Sequence, residues 1–229
     1  MKPATDTGIS SPRIRDALSV LFNPKDVVEL RALKGRKTVA GYFDDHDALA
    51  LAAERLDEER YQVYVTLNEV HPDLLARAAN RINEYPRSTT SDNDIVRIRW
   101  LPLDFDPVRL SGVSSSEEEK EAAKARAREV RRHLRDKGWP DPVIGDSGNG
   151  YHLLYRIDLP NTQESKDLVK SVLEALAFRF DDERVKLDTG VHNPARIWKL
   201  YGTVARKGDS VGDRPHRRSK IVKTPTEDN

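Results

Sequence analysis

Apolar positions recur along this chain with two periods, and the switches between them predict the order of elements. Ile14, Ala17, Leu18, Leu21 and Phe22 fall at helical spacing and predict a short amphipathic helix. Residues 27–31 and 38–43, on either side of a Lys34-Gly35-Arg36 turn, read as two strands. Asp44 or Asp45 then caps a helix carrying Leu49, Leu51, Ala52 and Leu56. A strand over 63–67 comes next, and then a helix through Leu74, Leu75, Ala78 and Ile82. The first dozen residues, polar and rich in Ser and Pro, read as a flexible lead-in.

The second half is more regular. Residues 95–105 alternate into a strand, with Leu101, Leu103 and Phe105 on one face and Asp104 and Asp106 on the other. Residues 114–137 read as a helix with Ser and three Glu at its start, Arg131, Arg132 and Arg135 near its end, and Gly138 beyond. Acid first and base last complements the helix dipole, so this charge run calls for no ligand. Residues 142–146 and 151–157 form two strands around Gly148-Asn149-Gly150, a hairpin signal. A helix with Leu168, Val172, Leu173, Leu176 and Phe180 as its apolar stripe and a short strand over 185–188 complete the series. The order is β-α-β-β-α-β, the split unit of ferredoxin-like and RNA-recognition folds, whose usual strand order is 4-1-3-2.

Composition narrows the chemistry. The chain has 229 residues, enough for a real core, and no cysteine, which removes disulfides, Cys-held zinc and thiol catalysis. Mean hydropathy is −0.70. No apolar run approaches bilayer length and the N-terminus lacks a signal peptide's apolar core, so a soluble cytoplasmic protein without a membrane partner is expected. Lys and Arg total 39 against 38 Asp and Glu, a near-balance that argues against a purely basic binder. Residues 205–223 depart from it: seven Lys or Arg face two Asp there, a segment suited either to solvent or to a nucleic-acid backbone. The alternation in Lys220-Ile221-Val222-Lys223 hints at a last strand within it.

The predicted strand order brings distant carboxylates together. The first strand of the series lies between the third and fourth, so Asp104 and Asp106, His152 and Asp188 reach one neighbourhood. Parity leaves all four on the face away from the helices, although a slip of one residue reverses any such assignment. Three carboxylates at one point repel unless a cation is present, and hard ions with oxygen ligands, Mg²⁺ or Mn²⁺, suit them. Two such ions suit in-line phosphoryl transfer. Taken alone, Asp-Phe-Asp before Pro107 is equally a strand-ending turn. Ser147 to His152 is equally a plain hairpin, or a loop whose glycines let backbone N–H groups approach phosphate.

Together, Leu103-Asp104-Phe105-Asp106-Pro107, Ser147-Gly148-Asn149-Gly150-Tyr151-His152 and Leu187-Asp188 resemble the three motifs of the archaeo-eukaryotic primase superfamily. The nearest look is to bacterial primase-polymerases, including plasmid, phage and CRISPR-associated branches. The segment 193–203 and Arg206-Lys207-Gly208 are similar to the stretch after the third motif in that family. The resemblance implies an α+β primase-polymerase core, an N-terminal α/β module (27–94) packed on an RRM-like catalytic module (95–204). A tail and short helix (1–26) would precede it, with the basic segment (205–223) and a tail (224–229) after it. It implies a DNA primase and polymerase that makes and extends primers from (d)NTPs on a single-stranded DNA template. Asp104, Asp106 and Asp188 would hold two Mg²⁺ or Mn²⁺ ions, with no zinc. Ser147, Gly148, Asn149, His152, Arg196, Lys199 and Lys207 would contact the nucleotide, and Arg214, Arg217 and Arg218 the nucleic acid. Other domains, or replication and CRISPR proteins, are further partners it implies. Two alternatives remain from the residues themselves: a metal-dependent nuclease or cyclase on a similar split fold, and a non-catalytic nucleic-acid binder.

Overall fold

Two large antiparallel sheets arise where the alternation is strongest, and helices close over them where the period lengthens. The computed structural model describes residues 12–225; residues 1–11 of the expected lead-in and 226–229 of the expected tail lie outside them. Helix α1 (Pro12–Leu21) buries Ile14, Ala17, Leu18 and Leu21 and is followed by β1 (Val28–Lys34) and β2 (Lys37–Phe43). Helix α2 (His46–Glu58) starts at Asp45, whose carboxylate accepts from the backbone N–H groups of Asp47 and Ala48 at 3.0 Å. Such a cap is worth about 1 kcal/mol. Strand β3 (Gln62–Thr66) pairs with β1.

The expected helix through Leu74 to Ile82 does not form. Only a short 3₁₀ turn, Pro72–Arg77, precedes an extended stretch that bridges β2 at Ala79 and Asn83. Asn80 there takes a left-handed conformation (φ 49°), and its side-chain oxygen accepts from the N–H groups of Asp44 and Asp45 at 3.1 Å. Covering the edge of β2 satisfies backbone groups that a helix would leave unpaired.

The second sheet is built from β4 (Arg97–Pro107), β5 (Val143–Asp146), β6 (Tyr151–Pro160) and β7 (Val185–Leu187), with α3 (Glu117–Asp136) and α4 (Gln163–Phe180) between them. Counted along the chain, its first four strands lie in the order 4-1-3-2, and β11 (Lys220–Lys223) adds a fifth beside β5. Every neighbour is antiparallel. Leu101, Leu103 and Phe105 of β4, Leu153 of β6 and Leu187 of β7 are buried, and α3 and α4 pack against this sheet. Burying each such side chain contributes about 1.5–3 kcal/mol. Helix α3 begins three residues later than expected, with Ser116 and Glu119 forming a reciprocal capping box.

The second half of the chain contributes to both sheets. β8 (Ile197–Lys199), from the stretch assigned to the second module, adds itself to β3, giving the first sheet the order β2-β1-β3-β8. The basic C-terminal stretch is not a detached arm either. Its Arg217–Arg218 strand, β10, pairs with β9 (Val204–Ala205), and β11 extends the second sheet. One buried apolar cluster, from Ile14 to Tyr201, runs through both sheets. The fold is thus mixed α/β with antiparallel sheets.

Candidate active site

The end of β4, the start of β6 and the end of β7 meet at one side of the second sheet. Asp104 pairs in register with His152 and Phe105 with Leu187, so the carboxylates of Asp104, Asp106 and Asp188 project near one another. They line a cleft of about 300 Å³ together with Ser147, Asn149, His152, Arg196, Lys199 and Lys207. Gln62 and Tyr64 of the first sheet close its far wall. Asp188 also caps a 3₁₀ turn, accepting from Gly190 N–H at 2.8 Å, and its own N–H donates to Asp104 O at 2.9 Å.

His152 is placed differently from its sequence expectation. It is on the face away from the helices, yet only 3% exposed, because Trp198 and Tyr201 cover it. Its Nδ1 lies 2.8 Å from Tyr201 Oη, its Nε2 lies 3.3 Å from Asp104 Oδ1, and Trp198 Nε1 donates to the same Oη at 3.1 Å. All four groups are satisfied when Trp198 donates to Tyr201, Tyr201 donates to Nδ1, and Nε2–H faces Asp104 and the cleft. Burial pushes the Tyr201 hydroxyl above its ordinary range, so it remains a donor at neutral pH. Tyr201 fits only because residue 145 is glycine: a Cβ there would lie 2.2 Å from Oη. The sequence left Tyr201 and Trp198 unassigned; a glycine inside a strand is the one signal of a close approach at that point.

The hairpin between β5 and β6 is held from within and from behind. Ser147 Oγ accepts from Gly150 N–H at 2.8 Å, and Asn149 Oδ1 accepts from Ser115 N–H at 2.9 Å. Gly148 sits at φ 95° against Ala205 and the Arg217 carbonyl, outside the cleft lining. Asp146, beneath the turn, pairs with Lys120 at 2.7 Å and accepts from Gly148 N–H.

The cleft holds both signs of charge. Asp106 has its carboxyl pushed up by partial burial and by the neighbouring charge of Asp104, with Lys207 and Arg109 opposing the shift. Among the basic groups, Lys199 is 7% exposed and donates to Val204 O at 2.9 Å, above the Tyr64 ring. Burial pushes its ammonium down to about 7, helped by Arg206 and Arg218 and opposed by Asp57. Arg196 donates to Gly190 O, while its buried Nε has no partner.

The three C-terminal arginines lie elsewhere, with their charge already engaged. Arg214 forks onto Glu119 at 2.7 and 2.8 Å, Arg217 meets Glu117 at 2.6 Å, and Arg218 meets Asp57 at 3.1 Å. They tie the C-terminal stretch to α3 and α2. Asp57, which also holds Arg206 at 2.6 Å, is the buried hub of that attachment.

The donor set suits a hard divalent cation: three carboxylates share the cleft, and Asp106 carries an unfavourable charge that a cation would relieve. Among the described residues, no three His, Asp or Glu side chains are already drawn together as a metal-binding group. No protein-family model matches the chain, and no curated protein matches it. Among solved structures it is similar to the polymerase domain from Mycobacterium tuberculosis Ligase D in complex with DNA. The two share 15% identity over 89% of this chain and 78% of that one, with a TM-score of 0.48, a likeness that carries none of the functional reading.

Proposed function

We propose that the chain is a template-directed nucleotidyltransferase of the primase-polymerase kind, with the RRM-like unit that begins at residue 95 as its catalytic module. It would join (d)NTPs to a primer on a single-stranded DNA template. One observation carries this reading: nine residues from five separate stretches of sequence line one cleft, three carboxylates beside three basic side chains. A nucleoside triphosphate needs both, because its phosphates must meet cations while its reacting phosphorus sits beside carboxylate-held metal.

Asp104, Asp106 and Asp188 would hold Mg²⁺ or Mn²⁺. When bound, these ions neutralise phosphate charge and favour ionisation of the attacking oxygen. The chain's own groups orient the nucleotide. His152 offers Nε2–H, fixed in direction by Tyr201, and Ser147 offers its hydroxyl proton. Arg196 and Lys207 offer positive charge, and Lys199 offers it when protonated.

The test is extension of a labelled primer on a template with dNTPs and Mg²⁺ or Mn²⁺. Template-directed lengthening is expected, and Asp104→Ala/Asp106→Ala should lower it by at least about a thousandfold. Template-independent product, net shortening of the primer, or full activity in the double variant would overturn the reading.

A further inference from the structure

Positive charge unengaged by the fold is concentrated on the outer face of α3. Arg128, Arg131, Arg132 and Arg135 follow one another at i, i+3, i+4 and i+7 and line a hollow of about 260 Å³ by themselves. Arg128, Arg132 and Arg135 are exposed, and among the described residues none has a carboxylate within ion-pair distance. Arg131 alone is held, by Asp141 at 3.2 and 2.7 Å. Elsewhere Arg31, Arg99, Arg206, Arg214 and Arg217 each hold a carboxylate.

The helix dipole does not account for the stripe. Its influence is confined to the last turn, where His133 and Arg135 lie, and Arg128, Arg131 and Arg132 precede that turn. Arg128 with Arg132, and Arg131 with Arg135, are like-charge i,i+4 pairs that destabilise a helix left to itself. Basic character continues onto the sheet edge, where Lys223 of β11 reaches Asp141 at 3.3 Å beside exposed Lys220.

We propose that this face of α3 is a second binding surface, fitted to the phosphodiester backbone of a single nucleic-acid strand. Guanidinium groups match phosphate in shape and charge. Seven residues of helix span about 10 Å, the reach of about three phosphates on a stacked strand. An acidic protein is the poorer fit. Protein interfaces centre on apolar anchors, and among the described residues α3 exposes no large apolar side chain. The surface is independent of the transfer reading, since a strand binds there with or without chemistry in the cleft.

The experiment measures anisotropy of labelled single-stranded DNA against the full chain, without divalent metal or nucleotide, across a salt series. Arg128→Gln/Arg132→Gln/Arg135→Gln should weaken binding at least about tenfold near about 100 mM salt. It should also lower the slope of log affinity on log salt by about 2, three contacts at about 0.7 each. A charge-matched control, Lys25→Gln/Arg36→Gln/Lys170→Gln, should leave affinity and slope near wild type, with thermal midpoints alike in both variants. Unchanged affinity in the stripe variant, or equal weakening in both, would overturn the proposal. So would polyglutamate displacing the DNA at equal charge, which would point to an acidic protein instead.

Discussion

Replacing Tyr201 by Phe removes a single oxygen and disturbs both the fold and the cleft. That oxygen partners His152 Nδ1 at 2.8 Å and Trp198 Nε1 at 3.1 Å, and both partners are buried. Each of these two groups left unpaired costs about 1–3 kcal/mol, so the loss is about 2–6 kcal/mol. Rescue by water is not expected, because a water cannot sit at bonding distance from the ring carbon as the hydroxyl oxygen does, and Gly145 packs directly against that position. For a chain of this size each kcal/mol moves the midpoint by about 2–4 °C, so calorimetry should record a fall of roughly 4–24 °C. His152 would also lose the contact that fixes its ring. Nucleotide affinity should drop about tenfold, the equivalent of about 1.4 kcal/mol, while template binding stays unchanged. A midpoint within about 1 °C of wild type, with nucleotide affinity intact, would refute the relay from Trp198 through Tyr201 to His152.

Two further outcomes come from the cleft's electrostatics. The Asp106 carboxyl is raised in the folded state, so its ionised form opposes folding and its contribution to stability is lost as pH rises through the folded value. Asp106→Asn should therefore melt higher than wild type at pH 7 without metal, with the difference closing as pH falls toward about 4; scanning fluorimetry finding a lower midpoint at pH 7 would contradict this. Lys199, lowered to about 7, makes the unfolded chain bind the extra proton between that pH and the ordinary lysine range. Wild-type stability should gain on Lys199→Met over that window by up to about 1.4 kcal/mol per pH unit in urea denaturation; parallel pH profiles for the two proteins would show that Lys199 is charged in place.

Local pattern carried well where neighbours in sequence decide the outcome. The alternation through Leu101, Leu103 and Phe105, the Asp45 cap and the hairpin at Gly148 depend on residues a few positions apart. The features that escaped depend on partners far along the chain. His152 has the parity expected of it, but the side chains that bury it, Trp198 and Tyr201, arrive from beyond the last strand of the series. Arg214, Arg217 and Arg218 read as free charge because Glu119, Glu117 and Asp57 are remote in sequence. The helical spacing of Leu74, Ala78 and Ile82 was real, yet the open edge of β2, which Ala79 and Asn83 bridge, favoured an extended path.

The placement of β8 bears on how the molecule assembles. Tyr64 and Val65 of β3 find their partners only when Lys199 and Trp198 have been synthesised, so a nascent chain must hold an unfinished sheet edge while the second sheet is made. Pairings of such long sequence separation slow folding, since loop closure precedes any reward from contact. The cleft wall that carries Lys199 is therefore among the last parts to form. A polypeptide released before that point would hold Asp104, Asp106 and Asp188 and still lack the opposite wall of their cleft.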